Sequence, residues 1–380
     1  MRRLIYIFII GLLLCSYTWA DGSRYASKSL LSEGKWVKIR VDKTGIYKLS
    51  YADLKNMGFS DPSKVSVHGY GGWPLDEDFS KEYIDDVPST PVWRGSDYLL
   101  FYGKGPVKWE YDSSSQTFVH TNNPYSLYGY YFVTDATPTN DMTSVAQASG
   151  ATNRITTYDD YLVHEQELVS LAKSGRELYG EDFSGATPRT LSTFSSIPGI
   201  TNEDAKVTMS FVSKVTSGTG VASLSINQSN VLDVSIRSNR EEYVKALEGV
   251  STAVWKGEKS EKNSVVVSYN SASHNNVRLN YVRLHFKRTL QPYGAYTFFR
   301  SIASIGNVSR FVVQGANANT LVFDVTDAQR VRLMETELNG SELTFSIPAG
   351  TLREFVLVRT DQSFISPEVV GEVENQNLHA

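Results

Sequence analysis

Apolar and polar residues alternate along much of the chain, and this period of two predicts β-strands with one buried face. The first clear case is KWVKIRV (35–41), and GIYKL (45–49) follows it after a short turn, so the two segments predict a β-hairpin. YADLKNMGF (51–59) breaks the alternation. It predicts one short helix that has Ser50 as its N-cap and ends at Gly58.

Strands are also predicted farther along the chain, from alternation and from aromatic residues. The segments are KVSVHGYGG (64–72), DYLLFYG (97–103), YGYYFVT (128–134), KVTMSFVSKV (206–215), ASLSIN (222–227), SVVVSY (264–269) and VRLNYVRLHFKR (277–288). In the last segment the apolar phase changes at Tyr281–Val282, which predicts a bulge. RFVVQGA, TLVFDVT, ELTFSI and REFVLV predict a further group of strands between 296 and 360.

These strands group into β-sandwich-like units, because turns of glycine and serine recur about every ten residues. We predict a mainly β fold with two or three such units. They are an N-terminal β-rich domain (35–150), a β-sandwich domain (186–290) and a small β domain (296–360). Residues 361–380 lose the periodicity, so we interpret them as a linker.

One segment departs from the β pattern. TYDDYLVHEQELVSLAK predicts a helix, since Asp159 and Asp160 near its start suit the positive end of a helix dipole. Gly175 is a natural residue to follow its last turn. We therefore predict a short helical connector at about 157–174, inside a connector region that covers 157–185.

Residues 1–20 have the layout of a secretory signal peptide. A basic start, MRR, precedes the apolar run LIYIFIIGLLLC, and the small residues Thr18 and Ala20 precede the predicted cleavage point. Cys15 is the only cysteine and would leave with this peptide, so the exported chain would have no disulfide and no thiolate nucleophile. A lipid anchor on Cys15 is an alternative, although Leu14 before it is larger than such sites usually carry.

The exported chain is mildly acidic. Its formal net charge of −4 becomes −6 once Arg2 and Arg3 are removed with the signal peptide. A chain of this charge that has no long run of Lys or Arg lacks the basic surface that nucleic acids require. No later apolar run is long enough to predict a membrane span.

KSGRELYGEDF, residues 173–183, contains the most concentrated set of charged side chains. Glu177 and Glu181 could be the acid and base of a glycoside hydrolase, which needs two carboxylates at a fixed separation across a cleft. Spacing along the chain does not establish that geometry. The structural interpretation is favoured: Arg176, with Glu177 or Glu181, would lock the end of the predicted helix against the following β unit.

Other candidate sites are incomplete. HEQEL (164–168) resembles a zinc-protease helix, but Leu168 stands where the second histidine is needed, so His164 is expected to be a partly exposed helix residue. DED (76–78) and DD (85–86) could bind calcium through carboxylates, although they do not form an EF-hand loop. We predict no cofactor, with calcium as the remaining alternative, and no metal site.

Two surfaces are candidates for binding. His285 shares the polar face of its strand with Arg283 and Lys287, so this face is either solvated or suited to an anionic group. GYGGW (69–73) lacks the glycine spacing of a nucleotide-binding turn. The aromatic residues that could stack on sugars or cover a partner, rather than fill a core, are Trp73, Trp93, Trp109 and the run PYSLYGYY (124–131).

The same charged stretch also carries a resemblance to a known family. SGRELYGEDF resembles the SGRxLYGExF signature of PorU-like proteins, the sortases of type IX secretion systems in Bacteroidetes, which are related to gingipain-type cysteine peptidases. Its motif residues here are Gly175, Arg176, Glu177, Tyr179, Gly180, Glu181 and Phe183. Seven further segments resemble the family in the family's order: GKWVKIRVDKTGIYKLSYADLKNMGF, VHGYGG, FYGKGPVKWEYD, NNPYSLYGYYFVT, NYVRLHFKR, FDVTDAQRV and VGEVENQNLHA.

The resemblance implies an N-terminal region that has been separated from its enzyme. In the family, a peptidase domain with a catalytic His–Cys pair follows the segment that ENQNLHA resembles, and His379 belongs to that linker-like segment rather than to the pair. We therefore expect no catalytic residue in this chain and a missing peptidase domain. The expected role is a non-catalytic scaffold in a protein that removes C-terminal sorting signals from cargo and helps attach it to anionic lipopolysaccharide.

The implied partners are the peptidase domain, secreted cargo and other outer-membrane components of the secretion system. The implied location is the periplasm or the cell surface. A free-standing surface module that binds carbohydrate or acts as an adhesin is the alternative function. An unrecognised hydrolase that uses Glu177 and Glu181 is a third.

Overall fold

The computed structural model describes residues 25–78, 80, 84–173, 176–270 and 275–379. The predicted signal peptide, with Cys15, lies outside the described residues, and so does Gly175. Strands dominate the described part, which confirms the mainly β fold.

Strands β1 to β9 lie in the first part of the chain, at Trp36–Val41, Gly45–Ser50, Ser66–Gly71, Ser89–Thr90, Val92–Arg94, Tyr98–Gly103, Val107–Asp112, Thr117–Asn122 and Gly129–Thr134. Strands β10 to β19 follow at Ser144–Val145, Asn153–Ile155, Thr157–Glu165, Arg189–Thr190, Ala205–Lys214, Thr219–Ile226, Ser229–Arg237, Leu247–Trp255, Val265–Asn270 and Asn275–Thr289. Strands β20 to β27 are Tyr296–Phe299, Ser309–Val313, Thr320–Asp324, Arg332–Met334, Glu337–Asn339, Glu342–Ile347, Phe355–Arg359 and Glu368–Val373.

The predicted short helix is confirmed as α1, Tyr51–Asn56. Its first turn has a capping box, in which the Asp53 backbone nitrogen donates to Ser50 Oγ at 3.0 Å. Gly58 follows the helix with a φ of 91°, a left-handed conformation that glycine adopts without steric cost. Single 3₁₀ turns lie at Leu30–Ser32, Pro62–Lys64, Ser192–Phe194 and Ile302–Ser304. Among the described residues, no helix has the length and apolar character needed to cross a bilayer.

The predicted β1–β2 hairpin is wrong. β1 lies between β27 and β9 in one five-stranded sheet, in the order β27-β1-β9-β3-β4, whereas β2 pairs with β6 in a separate sheet, β2-β6-β5. The turn between them carries the chain from one sheet to the other. Tyr47 fixes this crossing, because its hydroxyl donates to the Lys43 carbonyl at 2.8 Å.

Four sheets stack in layers to join the first and last parts of the chain. The outer layers are β27-β1-β9-β3-β4 and β11-β21-β25-β24, and the inner layers are β2-β6-β5 and β10-β23-β22-β26-β20. Both inner sheets are buried on both faces: Phe101 of β6 packs toward the first layer, whereas Leu100 and Tyr102 pack toward the third. We call the core between the inner sheets the apolar seam. Its buried members are Ile46, Leu100, Tyr102, Phe323, Val325, Val331, Val356 and Val358.

The middle of the chain forms a separate two-sheet sandwich. Its sheets are β12-β19-β14-β17 and β13-β18-β15-β16, and a core of aliphatic and aromatic side chains fills the space between them. The predicted bulge is present in β19: Ser210 pairs with Tyr281 and the next residue, Phe211, pairs with Leu279, so Asn280 is the extra residue.

The predicted helical connector at 157–174 is wrong. Thr157–Glu165 forms β12, which pairs with β19 through all nine of its residues. Residues 166–173 are not helical either, and Val169 makes an isolated antiparallel bridge to Tyr179. Long-range pairing has overridden a local helical pattern in which Tyr161, Leu162, Val169 and Ala172 could share one face.

The predicted linker at 361–380 is wrong in its middle part. Glu368–Val373 forms β27 and pairs antiparallel with β1 at the edge of the first sheet. Beyond it, Asn375 Nδ2 donates to the carbonyls of Leu31 and Gly34 at 3.0 and 2.9 Å. The end of the described chain is therefore fastened to its beginning.

Candidate functional site

The clearest polar centre of the molecule lies where its β units meet. The β7–β8 hairpin of the first unit crosses the outer face of the middle sandwich, and Trp109 of β7 stacks on Tyr161 of β12 with ring centroids 4.0 Å apart. Lys206 of β14 donates to the Ser115 carbonyl at the hairpin tip, at 2.7 Å. Because the hairpin covers this face, the charged side chains beneath it are removed from water.

Asp159 is the central carboxylate of this region and is only 1% exposed. It accepts hydrogen bonds from His285 Nε2 at 3.0 Å, Lys287 Nζ at 2.8 Å and the Ile302 backbone nitrogen at 2.7 Å. Burial alone would raise the pKa of Asp159, but the bonds from His285 and Lys287 outweigh burial and lower it. Asp159 therefore remains an anion. The polar face of His285 and Lys287 has its anionic partner within this chain.

Arg300 supplies the matching buried cation and is also 1% exposed. Its Nε donates to Glu354 at 2.7 Å, one Nη donates to the Asp159 carbonyl at 3.1 Å, and its guanidinium lies 4.4 Å from the Tyr161 ring centroid. Burial lowers the pKa of Arg300, but the nearby Glu354, Tyr161 and Asp160 outweigh burial and raise this pKa well above its usual range. Burial raises the pKa of Glu354, and the nearby Arg300 offsets only part of that rise.

A second ion pair completes the arrangement, which we call the polar junction. Arg288 donates to Asp160 Oδ2 at 2.8 Å, and its guanidinium lies 3.8 Å from the Tyr293 ring centroid. The members of the polar junction are Asp159, Asp160, His285, Lys287, Arg288, Arg300 and Glu354. They come from the middle sandwich and from the last part of the chain, so the junction fixes these units to each other.

The charged motif continues the line of β12 along β19. Gly180 donates its backbone hydrogen to the Leu279 carbonyl at 2.8 Å, and Phe183 donates to the Val277 carbonyl at 2.9 Å. A Cβ on Gly180 would lie 3.1 Å from the Gln166 carbonyl oxygen, so glycine allows the closest approach here. Phe183 is buried in the core of the middle sandwich.

Glu181 is engaged by a histidine. Its Oε1 lies 2.6 Å from His164 Nε2, and His164 Nδ1 lies 2.8 Å from Thr193 Oγ1. Burial raises the pKa of Glu181, but the hydrogen bond and charge of His164, a backbone hydrogen bond and the charge of Arg189 together outweigh burial and lower it. A glycosidase acid needs a raised pKa, so Glu181 is suited to clamping rather than to proton donation. His164 was expected to be partly exposed on a helix; it is instead a buried residue of β12.

Arg176 and Glu177 lie apart from this clamp. Arg176 pairs with Glu77 at 2.6 Å, and the two side chains are 69% and 70% exposed. Burial, followed by the charge of Glu177, raises the pKa of Tyr179 to about 12. The structure therefore brings Tyr179, Glu181 and Phe183 onto one strand edge and leaves Arg176 at the surface.

The acidic segments bind the protein's own backbone. Asp85 Oδ2 accepts from the Ala26 nitrogen at 2.5 Å, Asp86 Oδ2 accepts from the Leu30 nitrogen at 2.7 Å, and Asp78 Oδ1 accepts from the Ser80 nitrogen at 3.0 Å. Across the described ranges, no three His, Cys, Asp or Glu side chains are grouped so that they could hold a metal ion.

The aromatic candidates divide between interior and surface. Trp109 lies in the β7–β8 hairpin that covers the middle sandwich, and Trp93 packs with Tyr98 against the apolar seam. Within PYSLYGYY, Tyr125 is 82% exposed and Leu127 is 74% exposed. The sequence interpretation missed the roles of Asp159, Asp160, Arg300 and Glu354. An Asp–Asp pair inside an otherwise strand-like segment was the only local signal for them.

Comparison with solved structures is informative, whereas two other comparisons find nothing. No protein-family model matches the chain, and no curated protein matches it. Among solved structures, a crystal structure of dimeric latent PorU from Porphyromonas gingivalis superposes with a TM-score of 0.87 at 32% sequence identity. The match covers 94% of this chain and 34% of that chain, so this chain spans about a third of the length of that relative. The resemblance predicted from the sequence is therefore confirmed: this chain is a PorU-like region.

Proposed function

We propose that this chain is the non-catalytic scaffold of a PorU-like sortase of a type IX secretion system. The observation that carries the proposal is the match to PorU along nearly the whole chain, at an identity of 32%. In this role the β units would hold a peptidase domain and meet cargo and outer-membrane components. The chain would act after export, in the periplasm or at the cell surface.

The way the β units are joined supports a scaffold role. The apolar seam gives the first and last parts of the chain a shared core, and the polar junction attaches the middle sandwich to them. A partner docked on any one unit would therefore keep a fixed position relative to the others. The only cysteine, Cys15, lies in the predicted signal peptide, so a thiolate nucleophile would have to come from another domain.

A domain exchange tests the proposal. The corresponding region of Porphyromonas gingivalis PorU is replaced by this chain, and removal of C-terminal sorting signals from cargo is followed by mass spectrometry. We expect the exchanged protein to process cargo and an Arg300→Ala version to process it poorly. An Arg310→Ala version is the matched control, because Arg310 is a half-exposed arginine of the same unit. A well-folded exchanged protein that leaves cargo unprocessed would contradict the proposal.

A surface module that binds carbohydrate is the second candidate, and one groove favours it. The groove has a volume of about 670 Å³ and is lined by amide and hydroxyl side chains that include Asn227, Ser229 and Asn230. Glycan-array binding by the full chain, lost in Asn230→Ala, together with failure of the domain exchange, would replace the scaffold proposal with this one.

A further inference from the structure

Lys104 is a buried cation that has no anionic partner among the described residues. It follows β6 in the segment FYGKGP and is 3% exposed. Its ammonium makes no hydrogen bond or ion pair there; instead it lies 3.9 Å from the Tyr70 ring centroid and 4.8 Å from that of Trp73. Lysine is rarely buried to this degree unless it is paired, so this position calls for an acceptor.

A second donor beside it is also without a partner. The indole nitrogen of Trp73 is buried and has no hydrogen-bond acceptor in the part of the chain that the structure describes. The Trp73 ring is one of the two that contact the Lys104 ammonium. Two neighbouring donors that lack acceptors are most simply satisfied by one shared oxyanion.

The backbone around Lys104 is fixed by close glycine contacts. The Gly72 nitrogen donates to the Lys104 carbonyl at 2.9 Å, and the Lys104 nitrogen donates to Tyr131 Oη at 2.7 Å. A Cβ on Gly129 would lie 2.0 Å from the Lys104 carbonyl oxygen, and one on Gly71 would lie 2.8 Å from Lys104 Cβ. These contacts hold the two donors in place before any ligand arrives, which lowers the entropic cost of binding.

Lys104 remains mainly protonated at neutral pH although it is buried. Burial lowers the pKa of Lys104 to about 8, Asp327 favours the charged form and Lys108 opposes it. Asp76 and Glu110 act on the neighbouring Tyr70. Lys108 is itself paired with Glu110 at 2.8 Å. The ammonium of Lys104 is thus the cation in this group that has no direct partner among the described residues.

We propose that Lys104 and Trp73 form a binding site for a carboxylate that carries an apolar group. The carboxylate would accept from the Lys104 ammonium and the Trp73 indole nitrogen. Its apolar group would contact the adjoining loop, where Tyr125 and Leu127 are exposed. That loop is tied to the site because Asn123 Nδ2 donates to the Gly72 carbonyl at 2.9 Å. The same chemistry occurs in a small free carboxylate and in the carboxylate of a peptide.

Calorimetric titration of the full chain with three probes tests the proposal. The probes are acetate, N-acetyl-leucine and N-acetyl-leucine amide, at constant ionic strength set with chloride. We expect N-acetyl-leucine to bind and the amide not to bind. Comparable binding of acetate identifies a small free carboxylate as the ligand class, whereas binding of N-acetyl-leucine alone identifies a peptide carboxylate.

Variants assign the binding to these donors. Lys104→Met is expected to abolish binding, and Lys108→Met, a matched removal of a neighbouring charge, is expected to keep it. Trp73→Phe keeps a ring but loses the donor, so it should weaken binding about tenfold, the loss of one charge-assisted hydrogen bond; it also provides the test if Lys104→Met does not fold. No binding by the native chain, or equal binding by all variants, would overturn the proposal.

Discussion

The apolar seam and the polar junction both join β units, but they do so by opposite means. The seam is a continuous layer of aliphatic and aromatic side chains between two sheets that are buried on both faces. The junction buries Asp159 and Arg300 almost completely, and hydrogen bonds with His285 and Glu354 satisfy these two charged side chains. A substitution that truncates a buried apolar side chain destabilises the fold in proportion to the atoms removed. A substitution in a buried ion network destabilises it most when one charge is left without its partner.

Arg300→Ala should have the largest effect on this comparison. It leaves the half-buried carboxylate of Glu354 beside Asp159 and Asp160 without the buried guanidinium, so we expect the free energy of unfolding to fall by about 4 kcal/mol. Urea denaturation of the full chain measures the change. The double variant Arg300→Ala/Glu354→Ala should recover part of the loss, since it removes one uncompensated charge. A loss below about 1 kcal/mol for the single variant would mean that water reaches the junction.

Leu100→Ala should destabilise the apolar seam by about 3 kcal/mol, within the usual range for a buried leucine. Leu100 is fully buried between two inner sheets, so the surrounding structure has little room to collapse into the cavity. The same denaturation experiment applies. The effect should be independent of salt and of pH, and a strong dependence on either would show that the seam is opened by charge effects elsewhere.

Asp159→Asn should cost about 2 kcal/mol at pH 7, because charge-assisted bonds to His285 and Lys287 are lost. The folded pKa of Asp159 is lowered, so its contribution is fully present above the unfolded pKa of about 3.9 and disappears as pH falls through the folded value. The stability difference between the native chain and the variant should therefore shrink below about pH 4. Thermal unfolding at a series of pH values measures it. A difference that stays constant to pH 3 would contradict this account.

Arg176→Ala should have the smallest effect, at most about 0.5 kcal/mol, since its ion pair with Glu77 is exposed to solvent. Its thermal unfolding curve should match that of the native chain at high salt. A loss as large as that of Asp159→Asn would mean that Arg176 engages Glu177 or Glu181 in solution, as the sequence interpretation expected.

The sequence predicted strands best where buried and less buried positions alternate. β15 and β19 alternate over the sandwich core, and the phase change in β19 predicted its bulge within a residue or two. The prediction for the β12 segment failed because both faces of this strand are covered, one of them by the β7–β8 hairpin. Its buried positions include Tyr158, Asp159 and His164, which follow neither a period of two nor an apolar rule.

The layers and the polar junction depend on contacts that no local pattern encodes. YLLFYG and FVLV are nearly continuous apolar runs, which is typical of strands buried on both faces, and this signal was available for the inner sheets. The pairing of Arg300 with Asp159 joins residues 141 positions apart. Such partners become visible only when the topology is known. Lys104 likewise looked like an ordinary loop residue, because its burial results from glycine contacts made by other strands.

The pairing of β27 with β1 has a consequence for how the chain matures. Arg40 of β1 and Glu368 of β27 are bonded across 328 positions, so the edge of the first sheet remains open until almost the whole chain has been delivered. Before β27 docks, β1 would present unpaired backbone groups along this edge that invite pairing with another chain. Closing a loop of this length is slow compared with local folding. The edge of the first sheet is therefore expected to close late in folding, when β27 docks on β1.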